Sequence, residues 1–317
     1  MTKRKLSKHQ QQRIQQKQDD QLQSDEPQQG LVTARYLRHV DVKPADAPET
    51  SILCNVRRNI TSLAVGDTVT WEKEGKVGVI TAVYPRHSLI ERPDGLGKLK
   101  PVAANIDQLF IVLATAPEPH PILLDRYLLA AENAGIQANI VLNKIDKPEQ
   151  LEPFQPLLDI YRSLGYPVWV ISCLRPESFV ELEAALAHQS SVFVGQSGVG
   201  KSSIVNVLLP GLETPTGELS EHVAKGKHTT TTSKLFDLPK GGYIIDSPGI
   251  REFHLNHLSR EQVFSGFREL HDLLGQCQFR DCQHDQEPGC AIQTFIEADK
   301  MHPSRVQSLF YILHQQE

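Results

Sequence analysis

The sequence predicts a multidomain chain: a small OB-like β-barrel, then an α/β domain, then a mostly helical metal-binding end. Three observations carry this. From about Gly30 to Lys100 short alternating strands are separated by turn residues, the pattern of a small barrel. From about Pro101 to Glu252 strands alternate with helices, which predicts a parallel sheet with helices on both faces. After Arg251 the strands stop, and a cluster of Cys and His falls among helical spacings.

A chain of 317 residues has room for two or three domains, each with its own core. The longest apolar stretch, Leu109 to Ala116, is far short of the roughly 20 residues that span a bilayer. The N-terminus lacks an apolar core and a small-residue cleavage site, so it does not read as a secretory signal, and a cytoplasmic protein is expected. A net charge of −5 leaves no global footprint for nucleic acid, so any RNA contact must come from local basic patches.

Residues 1–29 are polar and basic, with Lys3, Arg4, Lys5, Lys8, Arg13 and Lys17 among many glutamines. Such a segment cannot bury enough apolar surface to offset the entropy of ordering it, so a disordered tail is expected; the alternative is a basic arm that orders on RNA. Residues 30–100 form the barrel, with strands at Val32 to Val40, Ser51 to Val56, Val69 to Trp71 and Val77 to Val83. Arg57 and Arg58 are among its basic residues. Binding of RNA and a purely packing role both remain open for such a barrel.

Residues 101–252 supply the α/β domain. Strands are expected at Gln108 to Ala114, Ala138 to Leu142, Val168 to Ser172 and Ser191 to Gly195. Helices are expected at Pro121 to Ala134, Leu151 to Leu164 and Glu177 to His188. Residues 253–317 follow. There Ser259 with Gln262 forms a capping box, the apolar residues from Val263 to Leu274 repeat at helical spacing, and a last helix runs from Pro303 to about His314.

The chemistry begins with GQSGVGKS, Gly195, Gln196, Ser197, Gly198, Val199, Gly200, Lys201 and Ser202, which fits GxxxxGK[ST] between an apolar strand and an apolar helix. Glycines let backbone N–H groups close around phosphate oxygens, and the helix N-terminus adds positive potential. Lys201 would reach the β- and γ-phosphates, and the Ser202 hydroxyl would ligate Mg²⁺. NKID, Asn143 to Asp146, stands at the C-terminal end of a strand, where doubly wound sheets bind ligands. The Asp146 carboxylate can accept from N1–H and the exocyclic amine of guanine, a pair of donors adenine lacks; discrimination of about 10⁴ follows from leaving a buried carboxylate unpaired. Asn143 can bond the Hoogsteen edge, and the Lys144 stem can lie against the ring. Ser172 and Cys173 can lend backbone N–H groups to the guanine oxygen.

DSPG, Asp246 to Gly249, follows the strand Tyr243 to Ile245. Asp246 would hold Mg²⁺ directly or through water, and the Gly249 N–H would sense the γ-phosphate. Between the phosphate loop and this turn GKHTTTT, Gly226 to Thr232, offers Thr230 or Thr231 to complete the Mg²⁺ shell; Thr230 is taken as the ligand. The order of these motifs is rotated relative to an ordinary GTPase, which begins with the phosphate loop, so the domain reads as a circularly permuted α/β P-loop GTPase. Ile250 stands where many GTPases place a water-orienting glutamine, and His228 is the residue here that could take that role.

Cys277, Cys282, His284 and Cys290, spaced C-x4-C-x-H-x5-C, suit a closed tetrahedral Zn²⁺ site, structural because four protein ligands leave no open position.

With these motifs the chain, from about Gly30 onward, resembles the circularly permuted, small-ribosomal-subunit-dependent GTPase family RsgA/YjeQ. The resemblance implies a cytoplasmic bacterial factor, a monomer with one structural zinc per chain and Mg with its GTP. It implies binding to the maturing small subunit and its rRNA late in assembly, GTP hydrolysis stimulated by the subunit, and departure. The alternative reading is a GTP-dependent rRNA-binding module with negligible turnover; a phosphate-loop ATPase or kinase is opposed by NKID.

Overall fold

The computed structural model describes residues 28–36, 39–60, 62–75, 77–93, 98–211, 233–246, 258–285 and 287–315. Of the expected tail, 1–29, residues 1–27 lie outside the described residues, as do His228, Thr230, Thr231, Gly249 and Ile250, while Gln29 opens the first barrel strand opposite Thr70 and so ends the tail earlier than expected. The chain divides into two compact units.

The first unit spans Met1–Ile106, His228–Asp237 and Ile244–Gly249. Its strands are β1 (Gln29–Arg35), β2 (His39–Pro44), β3 (Ile52–Val56), β4 (Thr68–Glu74), β5 (Val77–Val83), β6 (Leu89–Pro93) and β7 (Leu99–Ala104). β1, β2, β3, β5 and β4 pair in that order, and β1 also pairs with β4, which closes a five-stranded barrel. All pairings are antiparallel except β3 with β5. Alternation drives the closure: Val32, Val40, Val42, Cys54, Val69, Trp71 and Ile80 point inward and form one apolar core. Register shifts at Val32/Ala34 and Thr70/Trp71 are the irregularities that let so short a sheet curl.

Buried Asp67 accepts from the Ala64 N–H at 2.7 Å and from the Arg86 guanidinium at 2.6 and 2.8 Å. β6 and β7 form a separate hairpin. A further strand, β12 (Lys234–Asp237), pairs antiparallel with β1, and Lys43 bonds Asp237 at 2.5 Å.

Two of the strand expectations change. Val32 to Val40 is two strands joined by a reversal, closed by Tyr36 N–H donating to the His39 carbonyl at 2.8 Å. Both halves keep alternate residues inward, so a period of two runs through the reversal undetected. The β6–β7 hairpin was missed because its residues carry no clean alternation.

The second unit spans Asp107–Lys227, Leu238–Tyr243 and Ile250–Glu317. Here β8 (Gln108–Ala114), β9 (Gln137–Asn143), β10 (Val168–Val170) and β11 (Ser190–Val194) form a parallel sheet in the order β10-β9-β8-β11. Every residue of β8 is buried, as expected of a central parallel strand. The crossovers carry α1 (Pro121–Ala134), α2 (Gln155–Ser163) and α3 (Val180–Leu186), and β11 leads into α4 (Lys201–Leu208). α1 starts at Pro121 behind a His120 cap and stops at Gly135, whose left-handed backbone suits glycine. β13 (Tyr243–Asp246) follows β12.

Beyond it, α5 (Arg260–Ser265) opens with the expected capping box: Ser259 Oγ accepts from Gln262 N at 3.2 Å, and Gln262 Oε1 from Ser259 N at 2.9 Å. α6 (Ala291–Glu297) and α7 (Pro303–His314) complete the helical end. Three helix expectations shorten. Residues 151–164 and 177–188 each begin with a tight 3-10 turn, Glu152–Phe154 and Pro176–Phe179, before the regular helix starts. Helical spacing from Val263 to Leu274 is interrupted at Gly266 and resumes as a 3-10 segment, Arg268–Leu273.

Candidate functional site

Gly195 to Ser202 forms the loop between β11 and α4, and α4 begins at Lys201. The Lys201 ammonium donates to the carbonyls of Gly195 at 2.8 Å and Gln196 at 2.6 Å, which holds it across the loop. Gly200 has φ of +97°, and a Cβ there would lie 2.4 Å from Asn143 Nδ2. A side chain at that position is excluded twice, by its backbone conformation and by its neighbour. Ser202 is in the first turn of α4 and exposed.

The second loop approaches from β9. Asn143, buried at the strand's end, donates through Nδ2 to the Val199 carbonyl at 2.9 Å. Lys144 sits in the left-handed region, with φ of +68°, and its ammonium donates to the carbonyls of Gly198 at 2.6 Å and Ala116 at 2.5 Å. Asp146 accepts at Oδ1 from the Ser172 hydroxyl at 2.5 Å, while its own N–H donates to Gln150 at 2.8 Å. Ser172 is fully buried, and its N–H donates to Ser178 Oγ at 3.0 Å. Cys173 turns its thiol toward Asn143 Oδ1 at 3.8 Å, and burial raises its pKa, so it stays a thiol.

One region of the second unit thus gathers Asn143, Lys144, Asp146, Ser172 and Cys173 beside Gly198, Val199 and Gly200. Sequence reasoning gave Ser172 a backbone role only; its side chain also fixes the Asp146 carboxylate. It also missed Ala116, whose carbonyl has no motif to announce it. Asp246 ends β13 and is exposed.

Farther along the same unit, the ligand atoms of Cys277, Cys282, His284 and Cys290 all lie within 4.8 Å of one another. Cys277 Sγ is 3.4 Å and Cys290 Sγ 3.5 Å from His284 Nδ1, and the two sulfurs are 3.9 Å apart. A tetrahedral Zn²⁺ with its usual bond lengths requires edges of about 3.6 to 3.8 Å, so the donor set fits. Backbone N–H groups of Ala291 and Gln293 point at Cys277 and Cys290 sulfurs at 3.4 and 3.5 Å, the kind of outer contact that steadies thiolates. Burial lowers the His284 pKa, favouring the neutral ring a metal needs.

The RsgA GTPase family model matches residues 83–256. The chain belongs to the RsgA GTPase family. A relative named small ribosomal subunit biogenesis GTPase RsgA, from Pseudomonas aeruginosa, is 50% identical over 289 residues, covering 90% of this chain and 85% of its own. One of the same name from Azotobacter vinelandii is 50% identical over 291 residues with the same coverage. The crystal structure of YjeQ from Thermotoga maritima superposes with a TM-score of 0.75 at 29% identity, covering 92% of this chain and 99% of that one. The structure of YloQ, described as a circularly permuted GTPase, has the same fold, with a TM-score of 0.72 at 24% identity over 93% and 96% of the two chains. The present chain is accordingly a GTP hydrolase with a closed barrel, a circularly permuted GTPase domain and a helical end with a cluster able to hold a metal. Among the described residues no helix is long and apolar enough to cross a membrane.

Proposed function

We propose that this RsgA-family GTPase binds the maturing small ribosomal subunit and its rRNA late in assembly. There it hydrolyses GTP to GDP and phosphate under stimulation by the subunit, and leaves as a checkpoint factor. The observation that carries the nucleotide site is the lock between the base loop and the phosphate loop: Asn143 on Val199 and Lys144 on Gly198. Asp146, fixed by Ser172, reads the guanine edge; Asn143, Lys144 and the Cys173 N–H complete the base pocket, because the Ser172 N–H expected to join them is already given to Ser178 Oγ. Gly195 to Gly200 wrap the phosphates and Lys201 neutralises them. Magnesium supplies charge compensation at the phosphates when bound, and Ser202, Thr230 and Asp246 would hold it.

Gly249 senses the γ-phosphate, and His228 orients the attacking water. Zinc is the ion of the Cys277, Cys282, His284 and Cys290 cluster, because three sulfurs and a nitrogen within 4.8 Å of one another match its ligand preference. The working segments are a tail that ends before Gln29, a barrel from there to about residue 100, the GTPase at 101–252 and the zinc region at 253–317, in a cytoplasmic monomer. Barrel arginines Arg57 and Arg58 meet the RNA. Phosphate release measured with added small subunits, large subunits and bare RNA tests the whole reading: stimulation confined to small subunits is expected, and equal turnover with all three overturns it.

A further inference from the structure

Helix α1 carries contacts at both ends of its length, and they differ in kind. At its start His120, Leu124 and Tyr127 line a small space against Gly195 and Gln196 of the phosphate loop. Just before it, Ala116 holds the Lys144 ammonium, and Pro117 Cδ lies 3.7 Å from where a Cβ on Gly198 would be. The body of α1 belongs instead to the helical end. Leu129 joins the cluster of Phe264, Phe267, Leu270 and Leu309. Glu132 pairs with Arg268 at 2.6 Å. The end of α5 approaches so closely that a Cβ on Gly266 would lie 1.8 Å from Leu129 Cδ1, so only glycine fits there.

The centre of this junction is charged. Arg305 on α7 is 1% exposed; its Nη1 donates to Asp125 of α1 at 2.5 Å, and its Nε and Nη2 donate to both oxygens of Glu269 at 2.8 Å. Its guanidinium lies 4.4 Å from the Phe267 ring centre, and Tyr161 donates to the same Asp125 oxygen at 2.8 Å. Apolar residues of similar volume would stabilise such a junction as well or better. What a planar fork between two carboxylates adds is a single permitted orientation of α1 against α7.

We propose that Arg305 is a positioning residue for the nucleotide site: by fixing α1 through Asp125 it holds the 116–120 segment against Lys144 and the phosphate loop. The metal-bearing end of the chain thereby sets nucleotide affinity. The proposal rests on the reading of Gly195 to Ser202 as the phosphate site.

Arg305→Lys in the full-length, zinc-loaded protein keeps the charge and loses the fork. Affinity for a fluorescent GDP analogue and hydrogen exchange of peptides covering 114–124 and 193–202 are measured beside the urea midpoint. Ile312→Ala, a buried change in the same apolar cluster, serves as the stability-matched control. An affinity loss of about tenfold with faster exchange in both peptides is expected for the lysine variant, and neither for the control. Wild-type affinity in Arg305→Lys, or an equal loss in Ile312→Ala, overturns the proposal. Should Arg305→Lys not fold, the uncharged set Asp125→Asn, Glu269→Gln, Arg305→Met carries the same readouts and the same expectation. Lys201→Ala separates the two layers: if it binds GDP as the wild type does, the phosphate-site reading fails, whatever Arg305 does.

Discussion

The Ser172 hydroxyl donates to Oδ1 of Asp146 at 2.5 Å, so a residue from the loop after β10 fixes the carboxylate that ends the loop after β9. The two positions are 26 residues apart and belong to different motifs. The bond leaves Oδ2 as the carboxylate oxygen not engaged by Ser172.

Asp146→Asn follows from that geometry. Ser172 can still donate to the amide oxygen, which leaves the amide nitrogen facing the base. Two donors then meet the N1–H and exocyclic amine of guanine. GTP affinity should fall by about a thousandfold or more, and xanthosine triphosphate, with an oxygen at that edge, should be partly restored as a ligand. Competition binding with the three nucleoside triphosphates checks it, and unchanged GTP selectivity would falsify the base-recognition assignment.

Removal of the metal gives a local result. Zinc analysis should return about one ion per chain, and Cys282→Ala or chelation should unfold the region from Cys277 to Cys290. Its ligand Cys290, and Phe264, whose ring centre lies 4.7 Å from that of His284, belong to the apolar cluster that includes Leu129, so loosening should spread into the helical end while the parallel sheet persists. Circular dichroism and hydrogen exchange before and after chelation follow this. Protein purified without chelator and free of zinc would remove the assignment.

Much of this was legible because it is local in sequence. A phosphate loop, NKID and C-x4-C-x-H-x5-C each fit within a short window, and their glycines, carboxylate and thiolates have few other uses at those spacings. Pairing between distant positions was not legible. No motif links Asp125 of α1 with Arg305 of α7, yet they meet 180 residues apart in a buried pair. The need for glycine at 266 belongs to the same class: a Cβ there would meet Leu129, which lies in another helix. The reversal after Tyr36 was hidden because a hairpin preserves the inward alternation that defines a strand.

At the barrel, Arg57 follows β3, exposed and 3.1 Å from Glu72, with exposed Arg58 beside it. An exposed pair of this kind contributes little to stability, so the arginine can exchange its partner for phosphate at small cost. Reversing both arginines to glutamate should lower affinity for small subunits at least tenfold and flatten its dependence on salt, while GTP affinity stays at the wild-type value. Pelleting across a salt series reads this directly, and undiminished binding moves the RNA contact elsewhere.

The last prediction concerns the water that attacks the γ-phosphate. Ile250 occupies the place where many GTPases carry a glutamine, and an aliphatic side chain cannot orient water. His228 precedes the threonines proposed for the Mg²⁺ shell by two residues. A neutral imidazole nitrogen accepts a hydrogen bond from water near neutral pH, which is what orientation requires. If the segment closes over the phosphates only on the subunit, the free protein should be slow whether or not the histidine is present. His228→Ala should then keep nucleotide and subunit binding and lose at least a hundredfold in stimulated turnover, with little change without subunits. Single-turnover hydrolysis on purified small subunits makes the comparison. Full stimulated turnover in the alanine variant would assign the orienting group to the ribosome instead.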